Sequence, residues 1–92
     1  MFYFYILECE RDRLYVGSCE DIEARFIAYS RGLGTKYTQD FKPVRVAFTP
    51  SFASRAEAMQ REAQVKKWSR AKKLALIENN INQLKHLSKS RE

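Results

Sequence analysis

Cysteine is scarce in this sequence: Cys9 and Cys19 are the only two. They are too few and too widely spaced for a disulfide framework or a zinc cluster, and are expected to be reduced, partly buried thiols. Histidine is scarcer still, since His86 stands alone and rules against a histidine-based metal site. No apolar run reaches the roughly 18 residues of a membrane-crossing helix. The N-terminus opens on a strand-like segment rather than a basic-then-apolar leader, so a cytoplasmic location is expected. Internal repeats and low-complexity segments are missing. Gly32 and Gly34 do not have the spacing of a loop that cradles nucleotide phosphates. Acidic residues are the minority, 11 against 17 basic, leaving a net charge of +6. That balance suits nucleic acid, an anionic membrane or an acidic protein, and alone does not choose among them.

What is present is enough apolar residue for one globular domain, 45% of the chain. Tyr3 to Gly17 carries two aromatic and β-branched runs around the charged stretch Glu8 to Arg13, the pattern of an antiparallel hairpin over 2–8 and 13–17. Alternation puts Tyr3, Tyr5 and Leu7 on one face of the first strand and Phe2, Phe4 and Ile6 on the other. Ser18-Cys19-Glu20-Asp21 reads as a helix start with Ser18 as the cap. Ile22, Phe26 and Tyr29 then lie on one helical face, with Arg25 beside them, and Gly32 ends the helix. Gly32 to Thr38 reads as a loop. A third strand follows Pro43, with Val44, Val46 and Phe48 alternating against Arg45, Ala47 and Thr49, and Pro50 breaks it.

Ser54-Arg55-Ala56-Glu57 is a capping box, and its helix runs towards Trp68. Ser69 restarts a helix whose apolar stripe is Leu74, Ile77, Ile81, Leu84 and Leu87, with Asn79-Asn80 as a point of interruption. The expected fold is therefore α+β: a small three-stranded antiparallel sheet flanked by helices, in the order β-β-α-β-α-α. The expected division is a domain over 1–78 and a helical or frayed tail over 79–92.

Several of these residues have a structural and a functional reading. Glu62 shares a helical stripe with Ala58 and Val65, where a carboxylate is costly to bury without a partner. Arg25, Arg61 or exposure at the helix edge would satisfy it. Alternatively it is a metal ligand, because Mg²⁺ needs only one or two protein carboxylates and completes its shell with water and phosphate oxygens. Arg25 either covers the sheet with its stem or holds a phosphate with its planar fork. Tyr29 is a core aromatic or a site residue. Tyr3, Tyr5 and Tyr15 are good strand formers, and a phenol is a poor base at neutral pH unless positive charge stands close by. The run from Arg61 to Lys73, with Lys66, Lys67, Arg70, Lys72 and Trp68, tracks a phosphate backbone or forms a solvated face. Lys36, Tyr37 and Thr38 would add phosphate contacts.

In order, these residues resemble the GIY-YIG nuclease superfamily, most closely its small stand-alone bacterial members, near the nuclease half of the excision-repair incision subunit. Tyr3-Phe4-Tyr5 stands where the first motif belongs and Tyr15-Val16-Gly17 where the second does, with nine residues between Tyr5 and Tyr15. Arg25 follows Gly17 by eight positions and Tyr29 comes four later. Glu57 to Glu62 matches the segment ending in a metal-binding glutamate, while 34–38 and 66–73 resemble stretches of the small members. The likeness covers residues 2–78.

It implies a DNA endonuclease using one divalent ion, Mg²⁺ or Mn²⁺, held by Glu62. Arg25 would stabilise charge on the phosphoryl group. Tyr5 would take a proton from water with help from Tyr15 or Tyr29, and Gly17 would allow close backbone approach. Lys36, Tyr37, Thr38, Lys66, Lys67 and Arg70 would contact the nucleic acid, including single-stranded or structured DNA, with the chain acting as a monomer. Three positions depart from the pattern: Tyr3 replaces the leading glycine, Ser18 stands where the excision-repair relatives have lysine, and Leu74 where they have asparagine. The alternatives are a non-catalytic nucleic-acid-binding module on the same scaffold, or an interaction domain that docks through its apolar C-terminal stripe.

Overall fold

The computed structural model describes residues 1–78. The tail expected over 79–92, including Ile81, Leu84 and Leu87 of the apolar stripe, lies outside the described residues.

The hairpin forms as the alternation predicts. Strand β1 (Phe2–Cys9) pairs antiparallel with β2 (Arg13–Cys19), placing Gly17 opposite Tyr5 and Tyr15 opposite Leu7. The turn between them, Glu10–Asp12, puts Arg11 and Asp12 at φ of 60° and 58°, left-handed backbone that favours glycine. It is anchored from outside. Glu10 donates its N–H to the Lys42 carbonyl at 2.9 Å and accepts the Lys42 N–H on its carboxylate at 2.9 Å.

Helix α1 (Ile22–Ser30) is capped by Asp21, whose carboxylate accepts the Ala24 N–H at 3.0 Å. Ser18 is not the cap: β2 runs on through it to Cys19. Gly32, at φ 81°, closes the helix by donating to the Tyr29 carbonyl. The expected loop then contains a short helix, α2 (Lys36–Asp40). Thr35 caps it by accepting the Thr38 N–H at 3.2 Å, and an exposed Lys36–Asp40 pair spans it at 3.1 Å.

Strand β3 (Pro43–Phe48) pairs with the other side of β1, so β1 is central and β2 is an edge strand. The expected alternation fails here. Phe48 pairs with Ile6 and Val46 with Leu7, leaving Ala47 as an extra residue; Arg45 pairs with Glu8 and Pro43 with Cys9, leaving Val44 as a second. These two bulges change which face each side chain takes. Phe48 joins the Phe4 side of the sheet, Val46 joins the Leu7 side, and Val44 is 63% exposed. The strand also resumes after Pro50. A two-residue strand, β4 (Ser51–Phe52), pairs with Tyr3 and Phe2 in the frame that Phe48 set against Ile6, making the sheet four-stranded.

Helix α3 (Arg55–Lys66) is capped by Ser54, whose hydroxyl accepts the Glu57 N–H at 3.2 Å and donates to the Glu57 carboxylate at 3.1 Å. Helix α4 (Arg70–Ile77) is capped by Ser69. The chain is thus α+β, with apolar packing on both faces of β1. Phe4, Ile6, Val16, Val65 and Leu76 form one cluster, joined by Phe48, Phe52 and Trp68. Tyr5, Leu7, Cys9 and Tyr29 form the other, joined by Ile22, Phe26, Phe41 and Val46. Among the described residues no helix is long and apolar enough to cross a membrane.

Candidate functional site

Alternation in the edge strand divides the candidate residues between two faces. Gly17 lies opposite Tyr5 on the α1 side, and the next residue, Ser18, lies opposite Phe4 on the α3 side. The phenols and Arg25 therefore belong to one face and Glu62 to the other, and they meet across β2.

On the α1 side, Tyr5 is 1% exposed and its hydroxyl is 3.3 Å from that of Tyr29. The ring lies flat enough over β2 that a Cβ at position 17 would stand 2.3 Å from its oxygen and 2.5 Å from Cζ. Gly17 thus makes room for the Tyr5 ring. Gly34 does the same for Tyr29, whose ring would meet a Cβ there at 2.4 Å, and Gly34 also has φ of +122°. Arg25 donates to the Tyr29 oxygen at 3.3 Å, one turn along α1. The positive charge expected beside Tyr5 therefore touches Tyr29 first. Tyr5 is held well above its ordinary pKa, chiefly by burial and then by Tyr29, with Arg25 acting weakly in the other direction. Arg25 is in turn held more firmly protonated by its bond to Tyr29.

Tyr15 is the hub of the aromatic group and remains half-buried. Its ring centroid lies 6.4 Å from Tyr5, 5.8 Å edge-on from Tyr29 and 5.6 Å from Tyr37. Burial raises its phenol, while Thr35 and the charge of Lys66 oppose that rise.

On the α3 side, Glu62 stands between buried Ala58 and Val65 at the edge of the helix. Its partners are neither Arg25 nor Arg61. The Ser18 hydroxyl donates to Oε1 at 2.6 Å, and the Lys66 ammonium meets Oε2 at 2.7 Å. That bond holds Lys66 more firmly protonated, and its charge also reaches Tyr15 and Tyr29. Ser18 and the Glu62–Lys66 contact were missed by sequence reasoning. The four-residue spacing of Glu62 and Lys66 on a helix was the available signal for the second; nothing local pointed to the first.

A carboxylate steered by a hydroxyl, with a cation already seated on its free oxygen, is a hard-oxygen position that fits Mg²⁺ or Mn²⁺ if water and phosphate oxygens complete the shell. The described residues hold no group of three or more histidine, cysteine, aspartate or glutamate side chains, so water and phosphate oxygens would have to supply most of the shell around an ion on Glu62.

The expected nucleic-acid contacts separate. Thr38 is fully buried and its hydroxyl donates to the Thr35 carbonyl, and Tyr37 donates to the Leu14 carbonyl at 3.2 Å, so both build the domain rather than present donors. Lys36 is exposed but paired with Asp40. Lys67 and Arg70 are exposed. Trp68 packs on the core, with Arg61 at 4.9 Å and Lys72 at 4.4 Å over its ring, which leaves it no clear face for a base. Arg25 and Ser18 also line an open groove of about 520 Å³ between α1 and α3.

Comparison with known proteins places the chain among small bacterial relatives. A UPF0213 protein of Staphylococcus saprophyticus is 43% identical over 75 residues, covering 82% of this chain and 92% of the relative. One of Bacillus pumilus is 41% identical over 76 residues, covering 83% and 78%. The solution NMR structure of the UPF0213 protein BH0048 from Bacillus halodurans superposes with a TM-score of 0.54 at 40% identity, covering 85% of this chain and 84% of that one. These names state no activity. Residues 1–75 match the model of the GIY-YIG catalytic domain, and with that match the chain belongs to the GIY-YIG family of nucleases, alongside small bacterial UPF0213 proteins.

Proposed function

We propose that the protein is a metal-dependent endonuclease that hydrolyses phosphodiester bonds of DNA, working as a cytoplasmic monomer through the domain of residues 1–78. The observation that supports this best is the Ser18–Glu62 bond of 2.6 Å facing, across one edge strand, an arginine and three neighbouring phenols. A carboxylate on the inner edge of a helix has no structural need to be so aimed.

Glu62 would hold the ion, with Ser18 setting its orientation. The bound Mg²⁺ or Mn²⁺ supplies charge to offset that on the leaving oxygen. Arg25 spends one N–H on Tyr29 and keeps others for a phosphate oxygen, placing a fixed positive charge where negative charge develops. Tyr15 replaces Tyr5 as the phenol that handles the attacking water. Tyr5 and Tyr29 are sealed at 1% and 5% exposure, whereas Tyr15 is only half-buried; burial raises its phenol, and Thr35 and Lys66 oppose that rise. Tyr5 is then a positioning residue that holds Tyr29 and, through it, Arg25. Lys67 and Arg70 would track the backbone of the strand.

The test is cutting of plasmid, single-stranded and branched DNA with Mg²⁺, with Mn²⁺ and with chelator. Metal-dependent cutting that Glu62→Ala abolishes is expected. No cutting on the whole panel, or equal cutting by Glu62→Ala, overturns the reading. Salt-dependent DNA binding without cutting would instead favour a binding module.

A further inference from the structure

We propose that Lys66 is a working residue of the site: a tethered ammonium that holds Glu62 until a divalent ion takes the same carboxylate oxygen, and that then lends its charge to a phosphate oxygen of the DNA. The inference rests on the nuclease reading and adds a residue to it.

The ammonium lies 2.7 Å from Oε2, and Ser18 occupies Oε1. An ion arriving at Glu62 therefore meets an oxygen already engaged by a like charge, and two cations repel strongly at such a distance. One must leave. Lys66 is free to do so, since its side chain is 52% exposed on a flexible four-carbon stem. It does not leave the site, because it sits one turn beyond Glu62 on α3, and Ser18 ties Glu62 to the edge strand that carries Tyr15. Displaced from the carboxylate, its tethered charge stays within a turn of Glu62, near where a phosphate flanked by Arg25 and Glu62 would lie. Of the neighbouring cations, Arg61 and Lys72 are engaged over the Trp68 ring.

Two readouts on the full chain test this: Mn²⁺ binding by electron paramagnetic resonance without DNA, and kcat for DNA cutting. Lys66→Met keeps the stem and removes the charge. It is expected to bind Mn²⁺ on the order of three- to fivefold more tightly, as release from an exposed ion pair allows. The same variant is expected to lose at least about tenfold in kcat. Lys66→Arg should stay within about twofold of the wild type in Mn²⁺ affinity, because it keeps the competing charge. Lys42→Met, at an exposed position away from the site, should change neither readout.

Tighter Mn²⁺ with slower cutting is a pairing that a simple phosphate clamp on the surface does not produce. Unchanged or weaker Mn²⁺ binding by Lys66→Met overturns the proposal, and so does tighter binding with an unaltered kcat. The two levels of failure separate. A wild-type chain that never cuts overturns the nuclease reading, whereas Mn²⁺ affinity indifferent to Lys66→Met in a chain that cuts overturns this proposal alone.

Discussion

Replacing Gly17 with alanine sets two effects of opposite sign against each other. The backbone at Gly17 lies outside the left-handed region, so alanine fits it without strain. By chain entropy alone the change should stabilise the fold by about 0.4–1 kcal/mol. Packing opposes it. The new Cβ would stand 2.3 Å from the Tyr5 oxygen and 2.5 Å from Cζ, and Tyr5, at 1% exposure, has nowhere to retreat without moving its neighbours. Overpacking of this kind costs about 1–3 kcal/mol. A Tyr5 ring pushed aside also breaks its bond to Tyr29, worth about 1 kcal/mol. Packing wins, and the net loss is about 1–3 kcal/mol. For a domain of this size that lowers Tm by roughly 5–20 °C.

Thermal unfolding followed by circular dichroism measures the loss. Tyr5→Leu supplies the control, since it removes the atoms that clash while keeping an apolar side chain. In that background Gly17→Ala should cost less than about 0.5 kcal/mol, a coupling of at least about 0.5 kcal/mol between two residues that face each other across the strand pair. An equal cost in both backgrounds, or no loss in the wild type, would show that the close approach of ring and glycine is not what position 17 serves.

Three further outcomes follow from local structure. Burial pushes the Cys9 thiol up to about 11, against about 8.5 in the unfolded chain. Between those values the unfolded state has lost the proton that the folded state keeps, so the contribution of Cys9 to stability should be constant below about pH 8.5 and fall as pH rises from there towards about 11; urea unfolding of wild type against Cys9→Ala reads the difference, and parallel slopes would refute it. Val44, apolar but 63% exposed on a bulge, should accept threonine within about 0.5 kcal/mol, whereas Phe48→Ala on the Phe4 side should lose about 3 kcal/mol by the same unfolding assay. Tyr37→Phe removes the hydroxyl from the Leu14 carbonyl and should cost about 1 kcal/mol, detectable as a shift in the urea midpoint without a change in slope.

How far sequence reasoning reached can be followed element by element. The hairpin was readable because two aromatic and β-branched runs flank the charged stretch Glu8 to Arg13. Ser54 and Ser69 announced α3 and α4 because a cap is a local contract between a side chain and a backbone three residues on. Ser18 misled for the same reason, since a serine before acidic residues resembles a cap even when pairing with β1 carries the strand past it. The two bulges of β3 were invisible, because alternation counts every residue as though it took its turn. β4 and α2 are too short to show a period, and two nearby glycines made α2 look like a loop. At the candidate site, type and order single out Tyr5, Tyr15, Arg25 and Glu62. That Arg25 meets Tyr29 rather than Tyr5, and that Ser18 and Lys66 hold Glu62, depends on which face of β2 each residue takes and on what packs there.

The position of the candidate site over β2 also bears on how that exposed edge would meet another strand. An edge strand offers backbone donors and acceptors to any other strand, and sheets left with such margins tend to stack into aggregates. Here the margin is guarded by groups present for other reasons. Glu62 and Lys66 set charges of both signs beside it, and Tyr37 occupies the Leu14 carbonyl. A variant stripped of those charges would therefore lose a safeguard at this edge. Its solubility limit should fall before its melting temperature does.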